Sequence, residues 1–275
     1  MFSLQYTKLS IIIKDTPPYF IGSQLRGVLG HALKKVTCIN PSYQCNGCFA
    51  TSNCIYYEFY EEKNIFHKYR FDFELAQDYY NFNFYLFDNA TDKLPYIISA
   101  FNKALKETGL GSDNKTYKEF DIYINNKNII NDAQFNIPKD YIQKFKIDKV
   151  EKSIKLRFIT PLRIKKANRF IRDNSIELED IIKSIYQRAL EFTNQDRKKI
   201  DFKIEGDIIS KNLNYKELTR KSNRQKTTMN LGGIMGYIEI KGLNRESFEM
   251  LKLGELIGIG KSTVMGLGKI KIEEI

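Results

Sequence analysis

The order β-α-β-β-α-β can be read twice along this 275-residue chain, and each copy carries a glycine loop before its last strand. Those two observations predict an α+β protein of two tandem ferredoxin-like domains. Composition agrees. Hydrophobic residues make up 42% and charged residues 28%, a globular balance. The length leaves room for two domains of about 100–150 residues each.

The first copy opens with an apolar β-type run from Leu4 to Ile13, which Pro17-Pro18 breaks. Ser23 is the expected cap of a helix running to Lys35. After a cysteine-bearing loop, Ile65 to Leu75 and Tyr79 to Phe87 read as strands. In the second, Phe82, Phe84 and Leu86 alternate with Asn81, Asn83 and Tyr85. A helix over Lys93 to Lys106, the loop Gly109-Leu110-Gly111 and a strand over Lys118 to Asn125 complete the unit.

The second copy begins where Ile154, Leu156 and Phe158 alternate with Lys155 and Arg157. Glu177 to Phe192 reads as a helix with Ile181, Ile182, Ile185 and Leu190 near one face and Ser175 as its cap. Asp201 to Ile209 and Ile234 to Ile240 read as strands, and Asn244 to Gly254 as a short helix. Gly258 to Gly268 is a glycine-rich loop leading into a last strand, Lys269 to Glu274. The expected division is a first domain over 1–130 with the cysteine insertion, a linker over 131–150, and a basic domain over 151–275.

Charge is uneven. Of 44 Lys and Arg and 33 Asp and Glu, net +11, residues 1–150 hold 18 and 16 and residues 151–275 hold 26 and 17. A half-chain at +9 suits a polyanionic partner, with nucleic acid the commonest. Abundant Lys, Asn and Ile leave a plain composition effect as the competing account. Two stretches concentrate the charge. TPLRIKKANRFIR at 160–172 has no acid and includes Lys165, Lys166, Arg169 and Arg172; KNLNYKELTRKSNRQK at 211–226 includes Arg220 and Arg224 against Glu217 alone. Their Asn, Ser, Thr and Gln residues add neutral donors for phosphate and sugar oxygens. No apolar run approaches the roughly 18–20 residues that span a bilayer. The first fifteen residues also lack a basic start and a small-residue cleavage site. A soluble cytoplasmic protein with no membrane partner is expected.

The string Gly258-Ile-Gly260-Lys261-Ser262-Thr263 invites a phosphate-loop reading, and spacing refutes it. That motif needs glycine at 255, where Glu255 stands, and a long helix afterwards. Gly260, Gly266 and Gly268 still let a backbone approach a phosphate closely, and Lys261 adds charge. A tight connection without a ligand is the alternative.

Cys38, Cys45, Cys48 and Cys54 fall within 17 residues. Four thiolates with a C-x-x-C knuckle suit one structural zinc, with an iron–sulfur cluster second and unmetallated thiols third. No metal or cofactor is expected for catalysis. Only two histidines exist. On the helix SQLRGVLGHALKK, Leu25, Val28, Leu29, Ala32 and Leu33 form the apolar face. His31 falls roughly 120° away, in one stripe with Gly27 and Lys35. There it can serve as an acid–base group or be a plain boundary histidine. His67 reads as a mid-strand surface residue.

Six segments in order carry a family resemblance: GSQLRGVLGHALKK, the four-cysteine stretch ending CIYYEFY, LPYIISAFNKALKETGLGS, RFITPLRIKK, RQKTTMNLGGIMGYIEIKG and LGELIGIGKSTVMGLGKIKI. Together they resemble the CRISPR-associated repeat-RNA-processing endoribonucleases of the RAMP superfamily, in their four-cysteine branch. The resemblance implies tandem ferredoxin-like domains and metal-independent cleavage of precursor CRISPR RNA within its repeats. It implies attack by the RNA's own 2′-OH, leaving a 2′,3′-cyclic phosphate and a 5′-OH. By the same resemblance His31 is the catalytic histidine, with Lys35 and Tyr19 as partners, and the glycine loop contacts RNA. It also implies repeat RNA as partner, other CRISPR effector subunits as further partners, and a monomer or homodimer. The competing function is a non-catalytic RAMP-type subunit that holds guide RNA in an effector complex, since such subunits need no histidine.

Overall fold

A computed structural model describes residues 2–131, 134–222 and 227–275. Contacts divide the chain into two compact units. One comprises Gln5–Tyr69 and Ala76–Gln143; the other comprises Met1–Leu4, Arg70–Leu75 and Lys144–Ile275.

The first unit is built from β1 (Gln5–Ile13), α1 (Gly22–Thr37), β2 (Tyr69–Phe73, counted with the second unit from Arg70 onward), β3 (Tyr80–Phe87), α2 (Leu94–Lys103) and β4 (Asp121–Ile124). Among the strands that lie wholly within it, the sheet order is β3-β1-β4. The two-residue side-chain period sets the core. Leu9 lies opposite Phe84 and Ile124, and Ile11 opposite Phe82 and Ile122, and all six are buried. Phe101 of α2 meets the rings of Phe82 and Phe84 at 5.9 and 5.6 Å. Leu25, Val28, Leu29, Ala32 and Leu33 are buried on α1, as their spacing predicts.

Several local readings change. The residue before α1 is Ile21, with no side-chain cap, and Ser23 sits one residue inside the helix. The second helix begins as a 3-10 turn over Asp88–Lys93 and ends as a π turn over Ala104–Thr108, closed by Gly109 at φ +80°. His67 stands in a connection ahead of β2 rather than mid-strand. Part of the expected linker is stitched to the sheet, since the Tyr141 carbonyl accepts from Thr7 Oγ1 and from Asn125 Nδ2.

The second unit repeats the plan with β5 (Ser153–Leu162), α3 (Leu178–Phe192), β6 (Asp207–Lys216), β7 (Gly233–Lys241), α4 (Arg245–Ile257) and β8 (Ile270–Glu274). Its order, β6-β7-β5-β8, is antiparallel throughout. Leu156 lies between Ile238 and Ile272, and Ile154 faces Ile240. α3 is capped by Glu177, not Ser175, in a reciprocal box with Asp180. β6 begins at Asp207 rather than Asp201. Its pattern DIISKNLNYK leaves most side chains exposed or half-exposed, so hydrophobic alternation could not mark it. The basic run after it is no plain loop, because Thr219–Ser222 pairs with Thr227–Asn230 as a hairpin. No helix among the described residues is long and apolar enough to cross a membrane.

Candidate nucleic-acid interface

The glycine-rich loop occupies the turn between α4 and β8, and β5 fixes its geometry. Thr160 is fully buried; its Oγ1 donates to the Gly266 carbonyl at 2.8 Å and accepts from the Lys269 amide at 2.9 Å. The Gly268 amide donates to Pro161 O at 3.2 Å, and the Lys261 amide to Arg163 O at 3.0 Å. Two glycines are sterically required. Gly260 has φ +76°, and a Cβ there would lie 2.4 Å from Arg163 O; Gly268 has φ +71°, and a Cβ would lie 1.9 Å from Ile259 O. Replacing Thr160 by valine keeps the volume and removes both bonds. A loss of about 1–3 kcal/mol in urea unfolding is expected, and an unchanged midpoint would contradict the tie.

Charge beside the loop is sorted by pairing. Lys261, Lys165, Arg169 and Arg172 are exposed. Lys165 lies over the Phe170 ring at 5.2 Å and Arg172 over the Tyr215 ring at 5.3 Å. Lys165–Lys166 and Arg169–Phe170 form a small hairpin that presents them. Lys166, by contrast, binds Glu177 at 2.8 Å and Asp180 at 3.3 Å, which hold its ammonium above the usual lysine range and neutralise it as an anion attractor. Arg220 is half-buried, with Nη2 3.5 Å from Met229 Sδ. Arg224 lies outside the described residues. Lys269, basic by sequence, is paired with Asp72 at 3.2 Å.

Arg163 is an addition. Its Nη1 donates to Asn230 O at 3.1 Å and Gly232 O at 2.8 Å, and its guanidinium lies 4.5 Å from the Phe170 ring centre. Burial, then the positive charge of Arg172, press its pKa below the ordinary arginine range. The arrangement gathers exposed cations and aromatic rings, a combination suited to a phosphate backbone with accessible bases.

On the first unit, His31 and Lys35 are exposed one turn apart on α1, as the helical spacing predicts. Tyr19, ahead of that helix, is 47% exposed. His67 is half-buried, its ring 5.6 Å from Tyr69, and burial followed by the Arg26 charge keeps its imidazole below the usual range. Of the two histidines His31 is the more exposed.

Cys38, Cys45, Cys48 and Cys54 line one hollow of about 300 Å³ with Ile39, Tyr56 and Tyr96. Burial pushes the Cys45 thiol up. Among the described residues, no three histidine, cysteine or carboxylate side chains gather as a metal-holding group. All four thiols thus share the wall of one hollow.

Residues 14–139 match a family model described as an N-terminal domain. Residues 156–270, from β5 through the glycine-rich loop, match the model of the CRISPR-associated endoribonuclease Cas6. The second unit is thus similar to the Cas6 endoribonucleases over most of its length. No curated protein matches it in sequence. Two Cas6 product complexes are similar in fold. One has a TM-score of 0.58 at 12% identity, covering 98% of this chain and 99% of that one; the other has 0.57 at 14%, covering 98% and 100%. Thermus thermophilus Cas6 gives 0.55 at 12%, covering 99% of each chain. These likenesses bear out the double ferredoxin-like fold expected from the sequence.

Sequence reasoning overlooked Arg188. It lies on α3 at the spacing Ile181, Ile185, Arg188, Phe192, inside the apolar stripe. A charge in that stripe is itself a signal of buried partners.

Proposed function

We propose that this chain is a Cas6-type endoribonuclease that processes precursor CRISPR RNA by cutting within each repeat. The match of the glycine-loop unit to an endoribonuclease family carries this reading; the exposed cations of that unit and the open His31 support it. In the proposed reaction the 2′-OH upstream of the scissile phosphate loses its proton and attacks phosphorus. The bond to the 5′ oxygen breaks, that oxygen takes a proton, and the products are a 2′,3′-cyclic phosphate and a 5′-OH. His31 moves a proton at the reacting oxygens. Lys35 steadies the charge that builds on the phosphate, and Tyr19 assists in positioning. Lys165, Arg169, Arg172, Arg220 and Lys261 hold the strand, while Gly260, Gly266 and Gly268, whose amides are bonded within the protein, shape the loop that presents Lys261.

Because the RNA supplies its own nucleophile, cleavage is expected to proceed at full rate in EDTA. It should stop on an RNA with a single 2′-deoxy sugar at the cut, which should still bind. Mapping the ends of products from cognate repeat RNA checks both points. Cleavage of the deoxy substrate would replace this chemistry with attack by water. Binding without any cleavage would favour a guide-RNA-holding subunit.

A further inference from the structure

A glycine-rich loop has no side chains with which to hold its own shape, and here α3 holds it. Arg188 donates from Nε to Gly258 O at 3.0 Å, from Nη2 to Ile257 O at 2.9 Å and from Nη1 to Gly260 O at 3.4 Å. One turn earlier on the same face, Ser184 Oγ accepts from the Gly260 amide at 3.1 Å. Just before the loop, Nη1 of the fully buried Arg70 donates to Glu255 O at 3.1 Å and Leu256 O at 2.9 Å, closing the C-terminus of α4. The Gly258–Gly260 segment is thus gripped by α3, while Arg163 O holds the next amide, that of Lys261.

We propose that Arg188 is a positioning residue for RNA binding, clamping the carbonyls of Ile257, Gly258 and Gly260 so that the loop keeps the one shape in which the exposed Lys261 meets a phosphate. This rests on the RNA-binding reading of the loop given above. Two features argue for more than packing. The guanidinium is a planar fork whose donors point in fixed directions, which suits three carbonyls held at set positions better than a freely rotating ammonium. It is also held at a cost: burial, then the neighbouring positive charge of Arg70, lower the Arg188 pKa to about 9. A neutral donor would satisfy fewer carbonyls with less desolvation.

The test uses the full-length protein, with cognate repeat RNA titrated by anisotropy and single-turnover cleavage followed across enzyme concentrations. For both Arg188→Gln and Arg188→Lys, half-saturation is expected to shift upward about tenfold, with the rate at saturation within about twofold of wild type. A purely structural role would lower the melting temperature and leave half-saturation of the folded protein unmoved. Wild-type affinity in both variants would overturn the proposal, as would full rescue by Arg188→Lys, which would make charge rather than the clamp responsible. Should the buried substitutions fail to fold, Ser184→Ala removes only the neighbouring hydroxyl. It is expected to raise half-saturation about threefold at an unchanged melting temperature, and no shift would overturn the clamp. If wild-type protein does not bind repeat RNA, the RNA reading falls first, and the positioning role with it.

Discussion

His31→Ala is expected to slow cleavage of repeat RNA by about 10²–10⁴-fold, the usual contribution of a general acid or base. RNA affinity should stay within about twofold, since a proton-transfer group acts on the transition state and not on the bound ground state. The variant should fold normally, because His31 is exposed on the side of α1 away from Leu25, Leu29 and Leu33. His67→Ala is the contrast. That ring is half-buried against Tyr69, and its replacement should cost stability without slowing the cut. Single-turnover rates at saturating enzyme measure both. Wild-type rates in His31→Ala would move the proton transfer to another group, with Tyr19 and Lys35 the next to replace.

Replacing Lys165, Arg169, Arg172 and Lys261 together by alanine should weaken RNA binding at least about tenfold at low salt and flatten its salt dependence. A single strand contributes about 0.7 to the slope of log affinity against log salt for each phosphate neutralised. Four lost contacts should therefore remove about three from that slope. Lys166→Ala should change little, because Glu177 and Asp180 already compensate its charge. Binding measured from low to high salt decides. An unchanged slope would place the RNA-binding surface elsewhere in the molecule, and a Lys166 effect equal to that of Lys165 would show that the ion pairs open on binding.

The parts of the fold legible in sequence are those where burial writes a period. Leu9 and Ile11, Phe82 and Phe84, and Leu156 alternate because one face of each strand is covered, and the α1 stripe is complete. β6 escaped because its side chains are mostly in water, so nothing constrained their polarity to alternate. Ser23 and Ser175 misled because a serine near a helix start is only a propensity: α1 begins at Gly22 without a side-chain cap, and α3 is capped by Glu177. For the interface, the basic runs and glycines could be read directly. Which cations stay open could not, since Lys166 and Lys269 lose theirs to carboxylates brought from other segments.

Arg70 sets a schedule for synthesis. Its guanidinium ends fully buried on the carbonyls of Glu255 and Leu256, the latter 186 residues further along the chain. At roughly 5–20 residues per second a ribosome needs about 10–40 s to deliver that partner. Through this interval a cation meant for the interior can pair with Asp72 and the nearby backbone but not with the carbonyls of Glu255 and Leu256. The second unit therefore cannot finish its interior until the last helix has left the exit tunnel, and a chain cut short before Leu256 would strand a charge with no acceptors at the helix end.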